Sequence, residues 1–410
     1  MLAASEITTT HKGTIVAKTR TIDLRTVIDA LDVVQTLPAG NDGVTITSGN
    51  GTISFSAQDR MGTTCFVVAP TFGHAQDTTP AFTAHVAEKD LSGMSIPRRA
   101  IRRTLTFHDG MLRCSDLLTL PATASTPVTT RVDQPNAHAS VHVDPASFAQ
   151  ALAAVEPSKR AVQPRNEGHT RLTLTRHGQV KVSVVGDYSA ATTRIKTVGT
   201  ITPTADCHAH TRIEVWLQAL RLLNQSAERW TVTLIAGETS DQVTITDGAT
   251  AITVVTPTAK IPNFDAHFTP PKGVRYWDLE ITDIAPIVDF LSTLPRSFSD
   301  DYAFVQIRNH SDEDGRTHPI DMVARLGSQL IAAGQSYRGT QLASVTTTSI
   351  DEAEVDVTLS QLRQLIATAT RLGARRVTLR GYTPYESMAQ LFLICNDTIA
   401  VTIGRVPQPL

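Results

Sequence analysis

Asp206-Cys207-His208-Ala209-His210 places a thiol and two imidazoles within four residues, the donor types that hold zinc. A structural zinc site needs a fourth ligand, and no second cluster of matching spacing stands elsewhere in the chain. The run also lies in an alternating, strand-like stretch, so the expectation is a strand and no metal. Ser311 to His318, SDEDGRTH, is acidic but lacks calcium-loop spacing and reads as a hairpin turn. Neither a glycine-rich phosphate loop nor a nucleophile elbow occurs. The reading is a protein that is not an enzyme and needs no cofactor. An enzyme here would have to assemble its site from scattered residues.

The bulk numbers narrow the setting. At 410 residues the chain is too long for one ordinary core. With 41% hydrophobic and 19% charged residues it should fold. A formal charge of -2 excludes a whole-protein basic field that would grip nucleic acid by itself, though not a local basic surface. The densest basic cluster is Arg98, Arg99, Arg102 and Arg103. Cys65, Cys114, Cys207 and Cys395 are scattered and form no CxxC pair, which suits a reducing cytoplasm. The N-terminus has no continuous apolar core, and no stretch of about 18 apolar residues exists, so neither a signal peptide nor a membrane span is expected.

Alternating Thr, Val and Ile runs predict many half-buried strands, such as Thr52–Asp59, Thr170–Arg176 and Trp230–Ala236. Between them lie a few amphipathic helices. Leu24, Val27, Ile28, Leu31 and Val34 make one apolar stripe behind a capping Asp23. Phe148, Leu152 and Val155 make another, behind Asp144 and Pro145. Trp216, Leu217, Leu220 and Leu223 make a third, and Ile284, Ile287, Val288 and Leu291 a fourth. Leu362, Leu365, Ile366 and Ala369 make a fifth, capped by Thr358 and stopped at Gly373. A weaker copy near residue 90 is broken by Gly93 and Pro97.

The helix starts repeat at roughly 55 to 75 residues, above the usual solenoid range. Each unit reads strand, helix, strand, strand. One helix on a small antiparallel sheet leaves a face of each uncovered, so two units must pair to close a core. The expectation is an α+β protein of three domains, 1–130, 131–270 and 271–410.

Three stretches are distinctive beside this plan: KIPNFDAHFTP from Lys260 to Pro270, GTISFSAQDRMG from Gly51, and the C-terminal TIGRV from Thr402. Together they resemble the bacterial DNA polymerase sliding clamp family, the β clamp of DNA polymerase III, a ring of two three-domain subunits. Ile261, Pro262, Asn263, Phe264, Phe268 and Pro270 occupy places matching the segment where the family's domain two hands over to domain three. Gln58 and Asp59 stand where the family has threonine and aspartate, and Arg405 keeps an arginine in the final strand. The stretch VVGDYSAATTRI from Val184 departs from the family's aspartate-glycine-histidine-arginine. Aligning Gly186 with the glycine leaves Asp187 and Tyr188 in place of histidine and arginine, and a slip of one residue puts Asp187 on the aspartate.

The resemblance implies three clamp-type domains with helices on the inner face and antiparallel sheets outside. It implies a processivity factor that encircles double-stranded DNA without reading its sequence. The partners would be a second copy, head to tail, and DNA polymerase and repair proteins. An ATP-driven clamp loader would be separate, since this chain has no nucleotide motif. Basic side chains on helix faces would line the ring: Arg25, Arg98, Arg99, Lys159, Arg160, Arg165, Arg221, Arg296, Arg363 and Arg371. A peptide groove would be walled by Leu172, Gly186, Tyr188, Pro262, His267, Phe268, Ile403 and Arg405. The bland readings are solvated helix faces for the first set and a packed interdomain linker for the second. The rival function is a β-rich assembly protein such as a phage structural subunit.

Overall fold

The computed structural model describes residues 18–37, 43–49, 51–71, 82–91, 102–115, 118–128, 132, 135–159, 169–199, 205–258, 264–269, 276–281, 283–293, 303–309, 321–326, 329–330, 345–347, 353–385 and 388–405. The chain separates into two compact units, Met1–Arg60 with Thr64–Thr129, and Met61–Thr63 with Thr130–Leu410.

Six repeats follow one another. The first is β1 (Lys18–Asp23), α1 (Leu24–Val34), β2 (Gly43–Gly49), β3 (Thr52–Gln58) and β4 (Thr64–Pro70). The second is β5 (Phe82–Ala87), α2 (Glu88–Leu91), β6 (Arg102–His108), β7 (Met111–Cys114), β8 (Leu118–Pro121) and a short β9 (Thr123–Ala124). The third is β10 (Pro135–Val143), α3 (Pro145–Val155), β11 (His169–Leu174), β12 (Val180–Val185) and β13 (Ser189–Ile195). The fourth is β14 (Cys207–Thr211), α4 (Ile213–Ala219), β15 (Trp230–Gly237), β16 (Ser240–Thr246) and β17 (Ala251–Pro257). A short α5 (Phe264–Phe268) follows. The fifth is β18 (Tyr276–Ile281), α6 (Ala285–Thr293), β19 (Ala303–Asn309), β20 (Asp321–Leu326), β21 (Gln329–Leu330) and β22 (Val345–Thr347). The sixth is β23 (Ala353–Thr358), α7 (Leu359–Arg371), β24 (Val377–Tyr385), β25 (Met388–Cys395) and β26 (Thr398–Arg405). The strand-helix-strand-strand pattern of the sequence is thus completed by a further strand.

The helices begin where side chains satisfy their first N–H groups. Asp23 accepts from the Arg25 amide at 2.8 Å, and Asp144 from the Ser147 amide at 2.7 Å. Thr358 and Gln361 form a reciprocal capping box on α7, and Gly373 ends it at φ +66°. The expected stripes of α1 and α7 are buried. Helix α4 is shorter than its sequence suggests: Trp216 is buried and donates to Thr211 Oγ1 at 2.7 Å, while Leu217 and Leu220 are half-buried. Helix α2 is a single turn, and Gly93 and Pro97 lie outside the described residues. None of the described helices is long and apolar enough to cross a membrane.

The repeats complete one another in pairs. The first strand of each leaves its own helix and joins the sheet of its neighbour. In the first unit β1 pairs with β6 and β5 with β2, both antiparallel. In the second unit β10 pairs with β15, β14 with β11, β18 with β24 and β23 with β19. This reciprocal exchange is why one repeat cannot fold alone: each lacks the edge strand that its partner supplies. Within the second unit the C-terminal strand β26 pairs with β25 along its length and with β13 from Ser189↔Thr402 to Thr192↔Ile399. One continuous sheet results.

Strand alternation also decides the DCHAH run. Cys207, Ala209 and Thr211 of β14 are buried on one face, and His208 and His210 stand on the other. The three do not converge. Burial pushes the Cys207 thiol up to about 11, the reverse of what a ligating thiolate requires.

Candidate peptide-binding cleft

A cleft lies in the second unit where β13 and β26 meet. It is lined by Gly186, Asp187, Tyr188, Ser189 and Ala190, by His267 of α5, by Gln390 of β25, and by Val401, Thr402 and Ile403 of β26. It is shallow, with about 40 Å³ of solvent space. Backbone bonds fix its mouth. The Gly186 amide donates to the Ser189 carbonyl at 2.8 Å, and the Ile403 amide to the Tyr188 carbonyl at 3.0 Å. Thr402 Oγ1 donates to the same carbonyl at 3.1 Å. Tyr188 is left 51% exposed at the rim, an aromatic side chain with little to cover it.

The floor is apolar. Val185, Ala190, Phe264, Tyr382, Phe392 and Val401 form a buried cluster, with Phe268, Ile394 and Ile399 packed against it. Tyr382 stacks on Phe392 at 5.8 Å, and its hydroxyl donates to Gln390 Oε1 at 2.5 Å. Phe264 is wholly buried under the Arg171 guanidinium, 4.7 Å from its ring centre. Arg171 also holds Asp265 at 2.7 Å, and that hydrogen bond keeps the carboxyl below its usual range. Partial desolvation lowers the proton affinity of His267, so this side of the cleft is neutral near neutral pH. The arrangement suits a short ligand with an apolar anchor.

Gly186, Tyr188, His267 and Ile403 of the expected groove come together here, and Phe268 packs on the floor. Leu172 does not belong to it. It is fully buried, and its neighbour Arg171 takes the face that meets α5, so alternation turns Leu172 to the opposite face. Pro262 lies outside the described residues, as do Ile261 and Asn263. The backbone of Arg405 ends β26 opposite Met388 and Asp356, and its side chain lies outside the described residues. Sequence reasoning missed Ser189, Ala190, Gln390, Val401 and Thr402 as walls. The signal was there only as the phase of β13, β25 and β26.

The expected DNA-facing residues divide differently. Arg25 is exposed on α1 and pairs with Asp29 at 3.4 Å. Lys159 lies 3.3 Å from Glu214 and 4.0 Å from Glu156. Arg371 donates to the Ala153 carbonyl at 2.8 Å and pairs with Glu156. Arg363 is half-buried on α7. Arg221 is exposed after α4 and makes no ion pair with a described residue. Arg98, Arg99, Arg160, Arg165 and Arg296 lie outside the described residues.

The first unit has a wider cleft of about 300 Å³, lined by Gly43, Thr45, Ser56, Ala57, Gln58, Asp59, Arg60, Thr64, His85 and Val128. It lies over β2, β3 and β5, beside the β3–β4 turn. Its lining is mostly polar, with Thr45 Oγ1 3.2 Å from His85 Nδ1, so it offers an apolar side chain less than the smaller cleft does.

No protein-family model matches the chain, and no curated protein does. Solved structures do. The DNA polymerase III subunit beta from Pseudomonas aeruginosa is 12% identical, with a TM-score of 0.64 over 94% of this chain and 99% of that one. A DNA polymerase sliding clamp from the same organism, solved with a ligand, is 11% identical, with a TM-score of 0.65 and the same coverage. A sliding clamp from that organism bound to griselimycin is 12% identical, with a TM-score of 0.63 over 95% of this chain and 99% of that one. At this identity the likeness is one of fold, and it runs the length of both chains: the protein has the fold of the bacterial DNA polymerase III sliding clamp.

Proposed function

We propose that the protein is a cytoplasmic, non-catalytic sliding clamp. Two copies close head to tail around duplex DNA, and the cleft at β13 and β26 tethers DNA polymerase and repair proteins by short peptides. A separate loader opens and closes the ring. The observation that carries this reading is the full-length correspondence, covering 94% of this chain and 99% of a clamp subunit. A β-rich structural subunit has no reason to keep all six exchanged repeats in clamp order, so that rival is not favoured. The charge pattern also fits. Sliding needs phosphate attraction without grip, and several candidate basic residues already share their charge with carboxylates.

The test is retention on DNA. After loading by the host's clamp loader, the protein should stay on closed circular DNA and leave on linearisation. Equal retention on both forms would sink the proposal. Light scattering should give a dimer at micromolar concentration. Griselimycin, which binds one of the similar clamps, serves as a first probe of the cleft.

A further inference from the structure

One helix holds both walls of the cleft from below. Gln361 and Gln364 stand three residues apart on α7, on one side of the helix. The Gln361 amide is used at both ends. Its Oε1 accepts from the Thr358 amide at 2.9 Å, and its Nε2 donates to the Ile403 carbonyl at 2.9 Å. The first bond closes the capping box, and the second fixes β26 at a residue of the cleft. Gln364 Oε1 accepts from Ser189 Oγ at 2.9 Å, at the start of β13. Ser189 Oγ also lies 3.3 Å from the Ser158 carbonyl, but a hydroxyl carries one hydrogen and the shorter contact takes it. Ser189 is buried, so the bond has no ready replacement in water. The pairing of β13 with β26 begins at Ser189↔Thr402, so these bonds act where the ladder gives way to the cleft mouth.

We propose that Gln361 and Gln364 are positioning residues that set the separation of β13 and β26, and through it the affinity of the cleft for a peptide. The affinity part rests on the clamp reading above. Neither glutamine is among the residues that line the cleft. An apolar contact would tolerate a sliding wall. A hydrogen bond to each wall fixes a distance, because it weakens steeply away from its preferred length and angle.

The experiment has two readouts on the full chain. The first is calorimetric titration with a short C-terminal peptide of the host's replicative polymerase. The second is hydrogen exchange of two amides in the free protein: Ile403, bonded across the mouth to the Tyr188 carbonyl, and Gly186, bonded to the Ser189 carbonyl within the turn that leads into β13. Gln364→Leu should weaken the peptide about three- to tenfold and speed exchange at both amides. Gln364→Glu keeps an acceptor for the Ser189 hydroxyl and should restore both. Ser189→Ala combined with Gln364→Leu should cost no more than the larger single change, since both remove one bond. Gln361→Leu should speed exchange at Ile403 first. Unchanged exchange in Gln364→Leu overturns the proposal whatever the peptide does. If exchange responds as expected but the unaltered protein takes up no peptide, the clamp reading fails at this cleft and the positioning role stands.

Discussion

Arg371 and Glu156 form an ion pair that joins the last turn of α7 to the turn after α3, and the same guanidinium donates to the Ala153 carbonyl at 2.8 Å. A guanidinium held this way meets a phosphate only by sharing or leaving its carboxylate. Arg371→Ala should therefore leave the salt dependence of DNA affinity nearly unchanged. It should cost at most about 1 kcal/mol of stability, the ordinary worth of an exposed pair. Arg221→Ala should instead reduce the slope of log affinity against log salt by roughly one unit if Arg221 meets a phosphate. Titrations at several salt concentrations check both. A larger slope change for Arg371 than for Arg221 would reverse the assignment.

Gly404 is where β26 lies against β23. A Cβ there would sit 2.7 Å from the Asp356 carbonyl oxygen and 2.9 Å from Val355 Cγ2. Backbone cannot yield as a flexible side chain does, so Gly404→Ala should push β26 outward. The expected cost is about 1 to 3 kcal/mol, as for other overpacked sites. Because Ile403 and Thr402 wall the cleft, peptide binding should fall in the same variant. Urea midpoints and calorimetry measure the two effects, and a variant as stable as its parent would show that β26 has room to move.

Phe264 and Phe268 share α5 but differ in depth. Phe264 is wholly buried, so Phe264→Ala should cost about 3 to 5 kcal/mol. Phe268 is half-buried against the same cluster, and Phe268→Ala should cost about 1 to 2 kcal/mol. Phe268→Ala should nonetheless weaken a polymerase-tail peptide, by up to about a hundredfold if the ring is fully covered by ligand. Peptide binding that survives would move the site elsewhere. A Phe268→Ala protein that unfolds would favour a packed linker over a groove.

The helices were legible because their evidence is local. Asp23 with the stripe from Leu24 to Val34, and Thr358 with Gln361, announce themselves within a few residues. The strand exchange was not, because pairing β1 with β6 spans some eighty residues and leaves no periodic trace. Helix α5 was too short to show a period. In the cleft, Tyr188 and Phe268 stood out as large side chains beside a family-like segment. Ser189, Ala190 and Thr402 are small residues in ordinary strands, and only the register of β13 on β26 makes them walls. Leu172 failed for the same reason, since strand phase decides its face. The basic residues were visible, and so was Asp29 four residues after Arg25, but Glu214 lies far from Lys159 in the chain and Glu156 far from Arg371.

The histidines around α5 should make the protein sensitive to mild acid. His208 is half-buried beside Arg171, and burial first, then the guanidinium, holds its proton affinity below the usual value. His169 and His267 are more exposed and shift in the same direction, mainly through partial burial. Each therefore binds its proton more readily in the unfolded chain than in the folded one. Where the unfolded state holds more protons, stability rises with pH. The contribution is intact above the ordinary histidine value of about 6.5 and is lost as pH falls below it. Asp265 does not offset this loss, because Arg171 keeps it ionised through that window and its contribution is lost only at lower pH. Calorimetric scans should show the melting transition that includes α5 falling between about pH 7 and about pH 5. His208→Gln, which retains a polar side chain beside Thr173, should flatten that fall more than His267→Gln does. A transition that holds steady or rises on acidification would show that these imidazoles protonate in place, and that Arg171 and the apolar floor do not oppose their charge.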